Sequence, residues 1–420
     1  MRSILLILVL AALPFAARAQ LDRTESLAGE KAAERARRTD ASKYYNIDAG
    51  PVAMSLLASL RGEYNDNVFY TEVNPRDDFI IRPELRVTAL WPLTELNALN
   101  LTLGVGYEYH TQRTELNADS PLISPDSTLE LLVFAGDFRF RFFERFSYQE
   151  SLYYYGAVSR ETGDFISITN NIGKFGRLQN DAGLQTDWDL HKLVLTARYE
   201  HETFLTTEEL LNYLDRTSEK FALSADLVSG KEFHYGVETK ASWNDYQQKT
   251  FADHWRVAAG PYGDVTLSPR LNFRVGSGYN ASFLEPTPAQ DSTTISDYYA
   301  YLRLRHRPNQ YLDYGLTLGK EQQLGWSTAV QDVTYLTVYS TWSLIRYVDL
   351  STYLSLGQGD QKGGTWSEQY TYIQPGLRAG WHFARRWTAI LAYDFVHKNS
   401  DRRYYSYDQN RISLGAEFKF

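Results

Sequence analysis

From Pro51 to the end of the chain, apolar and polar residues alternate in one long run after another. In the last run, "ISLGAEFKF" (412–420), Ile412, Leu414, Ala416, Phe418 and Phe420 fall on one face. Ser413, Gly415, Glu417 and Lys419 fall on the other. A period of two puts successive side chains on opposite faces of a β-strand. The same alternation runs through 79–91, 99–109, 132–141, 233–244 and 271–283. Buried parallel strands would read as continuous apolar blocks. The pattern therefore predicts antiparallel strands with one apolar and one polar face.

The connections sharpen this. Tight turns are expected at Pro92–Glu95, Phe143–Arg145, Leu190–Lys192, Gly230–Glu232, Ser268–Arg270, Arg307–Gln310, Ile345–Tyr347 and Ala384–Arg386. Longer polar loops lie between them, among them Gln112–Ser127, Ser159–Gly176, Leu205–Arg216, Leu284–Ile295, Gly357–Glu368 and Lys398–Asp408. Short and long connections take turns, as in an up-and-down barrel with short periplasmic turns and long external loops. About 375 residues at roughly 40 per hairpin give about nine hairpins. The expected fold is all-β, a transmembrane antiparallel up-and-down barrel of about 18 strands.

Composition agrees. The chain has 31 Tyr, 21 Phe and 9 Trp, no cysteine, and a mean hydropathy of −0.41. Helical membrane spans would be less polar, whereas a barrel combines a polar interior with aromatic girdles. Arg2, the apolar stretch Ile4–Ala17 and Ala17-Arg18-Ala19 before Gln20 have the form of a secretory signal peptide (1–19). Residues 20–50 are expected to form a polar periplasmic lead-in, with a plug or docking helix as the alternative, and 51–420 the barrel. The formal charge of −8 is spread along the chain and argues against a nucleic-acid partner. Without cysteine, zinc cannot be held by thiolates. Five tryptophans (Trp91, Trp188, Trp342, Trp381 and Trp387) fall near expected tight turns, as a periplasmic aromatic belt requires.

A barrel leaves no free edge, so the last strand should pair with the first, near Ala53–Tyr64. A C-terminal strand ending in Phe418 and Phe420 also resembles the signal read by the barrel assembly machinery of the Gram-negative outer membrane. The resemblance extends to the first strand and loop. Tyr64-Asn65-Asp66-Asn67-Val68-Phe69, followed by Asp77-Asp78-Phe79-Ile80, is similar to the opening of the β-barrel porin 2 family, an outer-membrane β-barrel family. Some relatives in that family accompany exopolysaccharide genes. The words that carry this cover about one-twentieth of the chain and say little about substrate. Asn65, Asp66 and Asn67 suit a turn; Asp66, Asp77 and Asp78 offer oxygens for calcium as the lesser alternative.

On the parity that turns apolar residues to outer-membrane lipid, the interior receives Arg82, Arg86, Arg139, Arg141, Arg198, Arg274, Arg303, Arg305, Arg378 and Arg411. Glu84, Asp137, Glu200, Glu238 and Glu417 share that face. These charges could pair across strands and fill a polar wall; a basic surplus would favour anions. The eight histidines lie apart, and no G-x-S-x-G elbow or P-loop is present, so neither an enzyme nor a resident metal or cofactor is expected. The leading expectation is a porin-like channel for small or anionic solutes. The alternative is an outer-membrane component of exopolysaccharide export or attachment, with polysaccharide as its partner.

Overall fold

The computed structural model describes residues 45–154, 172–229, 233–288, 291–325, 329–362 and 367–420. Its single sheet has 21 strands, three of them short: Ile47–Ala49, Tyr109–His110 and Leu122–Ile123. The other eighteen form the barrel wall. They are β1 (Val52–Asn65), β2 (Asp78–Pro92), β3 (Ala98–Gly106), β4 (Thr128–Ala135), β5 (Phe138–Tyr154) and β6 (Ile172–Asp189). Next come β7 (Leu193–Thr206), β8 (Arg216–Val228), β9 (Phe233–Tyr246), β10 (His254–Ser268), β11 (Leu271–Leu284) and β12 (Thr293–Asn309). The wall ends with β13 (Leu312–Leu324), β14 (Val330–Ile345), β15 (Val348–Lys362), β16 (Gln369–Ala384), β17 (Trp387–Ser400) and β18 (Tyr407–Lys419).

Each strand pairs antiparallel with its neighbour in sequence. The last pairs with the first, from Leu57↔Lys419 to Asn65↔Arg411. The barrel is closed, and the terminal strand has its partner.

Side-chain contacts that skip strands identify the concave face. Tyr299 of β12 donates its hydroxyl to Glu238 of β9 at 3.3 Å, and Ser282 of β11 reaches Gln322 of β13 at 3.0 Å. Such reaches cross the inside of a curved sheet. The opposite parity carries exposed apolar residues strand after strand, including Leu223, Val237, Val275, Leu391 and Leu414. In water such a band would be untenable; against hydrocarbon it is the stable arrangement.

The five tryptophans all lie exposed near the short-turn end. Trp381, Phe383, Trp387, Phe418 and Phe420 form a chain of ring contacts with centroid spacings of 5.4, 6.3, 4.7 and 4.7 Å. Inside, tyrosine rings lie along the wall over cross-strand glycines. A Cβ at Gly315 or Gly319 would come within 2.6 Å of the Tyr339 or Tyr335 ring. These glycines let the rings lie flat instead of projecting into the passage.

One turn differs from expectation. The strand 132–141 is broken by Gly136-Asp137, with Gly136 at φ +60°, and Phe143–Arg145 lies within β5 rather than in a turn. Across this two-residue turn Phe134 pairs with Arg139, so parity inverts. Leu132 and Phe134 face inward and pack with Leu96, whereas Phe138 faces outward and stacks on Trp188 at 5.3 Å. An unbroken alternation cannot register such an inversion.

Some loop boundaries shift too. β15 runs to Lys362 and β17 to Ser400, which shortens the loops expected at Gly357–Glu368 and Lys398–Asp408. The turn at Gly230–Glu232, most of the loop Ser159–Gly176, the signal segment and the lead-in before residue 45 lie outside the described residues. The end of the lead-in, Ile47–Ala49, folds back on β1 through Gly50 at φ +65°.

Candidate functional site: the barrel interior

Most of the arginines singled out from the sequence are paired with carboxylates. Arg82 bridges Glu63 at 2.9 Å and Glu108 at 2.8 Å, and Arg86 meets Glu84 at 2.8 Å and Asp126 at 3.6 Å. Arg139 meets Asp187 at 2.5 Å, Arg141 meets Glu130 at 2.9 Å, and Arg198 meets Glu200 at 2.5 Å. Arg274 lies 3.5 Å from Glu238, Arg305 2.5 Å from Asp313, and Arg378 3.3 Å from Glu417. Asp137 sits in the exposed Gly136-Asp137 turn, not on a strand face. Arg411 stands opposite Asn65 and Asp394 beside the closing seam. Arg86–Glu84 and Arg198–Glu200 pair along a single strand and the other pairs link different segments; each paired guanidinium has its charge offset locally.

A denser cluster on β5–β8 escaped the sequence reading. Lys220 reaches Glu200 at 3.1 Å and Asp181 at 3.7 Å, and also bonds Glu202. Arg145 meets Glu200 at 2.8 Å, and Arg216 meets Glu202 at 3.1 Å. Arg141, Arg145 and Arg198 all lie over the ring of Phe143, the nearest at 4.7 Å. Arg145 was hidden by the misplaced turn. Arg216 and Lys220 could have been found, because they alternate with Ser218 in phase with the inward Asp226 of the same strand.

Next to this cluster the balance changes. An interior cavity of about 360 Å³ is lined by residues of this cluster, Asp181, Glu200 and Glu202 included, and beyond them by Arg177, Lys240, Arg256, Tyr299, Tyr301 and Glu321, among others. Arg177 donates to Gln149 at 2.8 Å, and Arg256 donates to the backbone oxygen of Gln322 at 2.7 Å. Lys240 lies in the field of Arg256, Arg303, Glu238 and Glu321. Among the described residues, Lys240, Arg256 and Arg303 have no carboxylate at ion-pair distance. Arg303 stands opposite Arg274 on the adjacent strand. Cations with no carboxylate beside them, near the phenols of Tyr299 and Tyr301, are groups able to bind anions.

At the long-loop end the wall's own loops pack against strand residues of inward parity. Leu211 and Leu214 of the 3₁₀ turn Glu209–Leu214 pack with Phe204, Tyr246 and Phe251. Val68 and Phe69 of the first loop pack with Ile80 and Leu116.

The Asn-Asp-Asn motif has a structural role here. Asn67 donates to the carbonyls of Thr71 and Asp408, each at 2.8 Å, and Gln409 donates to the Asn67 carbonyl at 2.7 Å. Asp66 accepts from the backbone and side chain of Asn410, both at 2.7 Å. The motif therefore ties the first loop to the last strand. The three candidate calcium ligands are dispersed: Asp77 accepts from Tyr64, and Asp78 is enclosed by His110 and backbone amides. Among the described residues no group of three or more His, Asp or Glu is placed to hold a metal ion.

No protein-family model matches the sequence, and no curated protein is similar to it. Solved structures similar to it are outer-membrane proteins. OccAB3 of Acinetobacter baumannii has 10% identity and a TM-score of 0.47, covering 87% of this chain and 99% of that one. OccK2 (OpdF) of Pseudomonas aeruginosa in complex with glucuronate has 8% identity and a TM-score of 0.48, covering 88% and 98%. OpdK of Pseudomonas aeruginosa with vanillate has 8% identity and a TM-score of 0.46, covering 87% and 99%.

Proposed function

We propose that this chain is a porin-like channel of the Gram-negative outer membrane that passes small solutes with a preference for anions. The observation that carries the reading is the group Lys240, Arg256 and Arg303, cations inside a closed barrel with no carboxylate beside them. An 18-stranded barrel is wide enough to hold water unless it is filled. Guanidinium and ammonium groups lining such a passage attract carboxylates, sulfates and phosphates. The resemblance of Tyr64–Ile80 to the β-barrel porin 2 family points the same way.

Planar-bilayer recording tests the reading directly. Open conductance steps with an anion-selective reversal potential across a KCl gradient are expected. Electrical silence, combined with loss of surface polysaccharide in a deletion strain, would instead favour export or attachment of exopolysaccharide.

A further inference from the structure

The hydrogen-bonded ladder between β12 and β13 stops short. It runs from the short-turn end up to Ala300↔Lys320, yet β12 extends to Thr293 and β13 to Leu324. Each strand keeps its other neighbour to the end: Thr293 faces Leu284 on β11, and Leu324 faces Val330 on β14. The outer end of the β13–β14 hairpin has therefore left the wall as a unit.

It has gone inward. The Gln322 carbonyl accepts from Arg256 of β10, and the Gln322 side chain accepts from Ser282 of β11. Ala329 and Val330 pack with Leu284, Ala252 and Ile295. Reaching β10 and β11 takes the hairpin behind β12, into the mouth. Outside, its departure leaves a polar groove of about 520 Å³ bordered by Asp297, Lys320, Asp332, Thr334, Gln358 and Asp360.

The register allows the ladder to close. Continued from Ala300↔Lys320, Tyr299 would face Glu321, Tyr298 would face Gln322, Asp297 would face Gln323, and Ser296 would face Leu324. Below its tip the hairpin is largely polar on both faces, with Lys320, Gln322, Asp332 and Thr334 on one and Glu321, Gln323 and Gln331 beside Val333 on the other, while Ala329 and Val330 hold the tucked position by apolar packing. A strand with two polar faces is weakly committed to one position. The upper edge of β12, without a strand partner among the described residues, is a template for pairing.

We infer that the β13–β14 hairpin is a gate, and the inference rests on the channel reading. In the tucked position it is latched by Arg256 and Ser282 on Gln322 and narrows the passage. In the zipped position it rejoins β12 and widens it. The latch also selects the opener. A carboxylate competes for Arg256 better than a neutral carbonyl does, so an anionic solute entering the cavity shifts the hairpin toward the zipped state.

The native chain has no cysteine, so introduced pairs report cleanly. Ser282→Cys with Gln322→Cys traps the tucked position. Tyr298→Cys with Gln322→Cys traps the zipped one, where directly opposed Cα atoms would lie about 4.5–5.5 Å apart, within disulfide reach. Each variant is oxidised in the membrane, the cross-link is scored by peptide mass, and conductance is read before and after reduction. Both cross-links should form, and acetate should raise the yield of the second. The tucked cross-link should abolish the larger conductance steps, and the zipped one should hold them open. Formation of the tucked cross-link without the zipped one would overturn the gate, as would identical conductance in the two oxidised forms. If both cross-links form and every form, wild type included, is silent, the channel reading fails while the two hairpin positions stand.

Discussion

The backbone N–H of Phe420 donates to the carbonyl oxygen of Leu56 at 3.0 Å, so the last residue of the chain is fastened to the first strand of the barrel. Its ring meets Phe418 edge-on at 4.7 Å. Deleting Phe420 removes one aromatic pair, worth about 0.5–1.5 kcal/mol, and one backbone hydrogen bond worth about 1 kcal/mol. That is a small local loss for so large a sheet. Refolding into detergent should therefore survive the deletion, whereas the yield of heat-modifiable folded protein in cells should fall sharply. Equal losses in both settings would assign Phe420 a role in stability alone, without one as an assembly signal.

The closing seam depends on Asn67. Its side chain is buried and joins Thr71 to Asp408, the latter 341 positions further along the chain than Asn67. Asn67→Ala removes the hydrogen bonds to the Thr71 and Asp408 carbonyls and the one from the Thr71 amide, each worth about 0.5–1.5 kcal/mol. The temperature at which the folded gel band disappears should drop, and protease should cut the first loop sooner. An unchanged band would mean that water replaces the amide without cost.

Acid should loosen the second external loop. Glu108 lies outside the long strands, at the base of that loop. Burial pushes its carboxyl upward, but the hydrogen bond from His110 and the Arg82 charge outweigh this and hold it at about 2. A carboxylate with a depressed folded value contributes stability that is fully present above its ordinary value and is lost as pH falls through the folded one. Proteolysis of loop 106–128 should thus stay slow near pH 5 and accelerate between about pH 4 and pH 2. Glu108→Gln should be cut faster at pH 5 and show a flatter acid profile. A wild-type profile with no change across that window would contradict this role.

Strands, their number and the closure were legible because lipid outside and water inside enforce a two-residue period on every strand. The interior was less so. Assigning a face by parity assumes that every turn is correctly placed, and one error at Gly136-Asp137 put Arg145 in a turn and Phe134 on the wrong side. The pairing of Arg139 with Asp187, or of Arg141 with Glu130, depends on inter-strand register that alternation alone leaves open. The tucked hairpin was out of reach altogether. Its residues alternate like any other wall segment, and it leaves the wall through contacts of Gln322 with β10 and β11, far away in sequence.

Selectivity should separate two arginines that look equivalent in the sequence. Arg305 is neutralised by Asp313 at 2.5 Å and lies toward the short-turn end of β12. Arg303, two residues along the same face, has no such partner and adds to the field at Lys240. Reversing the first charge perturbs a local pair exposed to water, worth about 0–1 kcal/mol and readily screened. Reversing the second changes the potential at Lys240 inside the barrel, where low-dielectric walls focus it. Arg303→Glu should therefore move the reversal potential across a KCl gradient toward cations, and Lys240→Glu should move it in the same direction. Arg305→Glu should shift it far less. The contrast should be largest at low salt and fade as the screening length shortens from about 10 Å at 0.1 M toward about 3 Å at 1 M. A cation-selective wild type, or equal shifts from Arg303→Glu and Arg305→Glu, would show that the wall charges do not set selectivity.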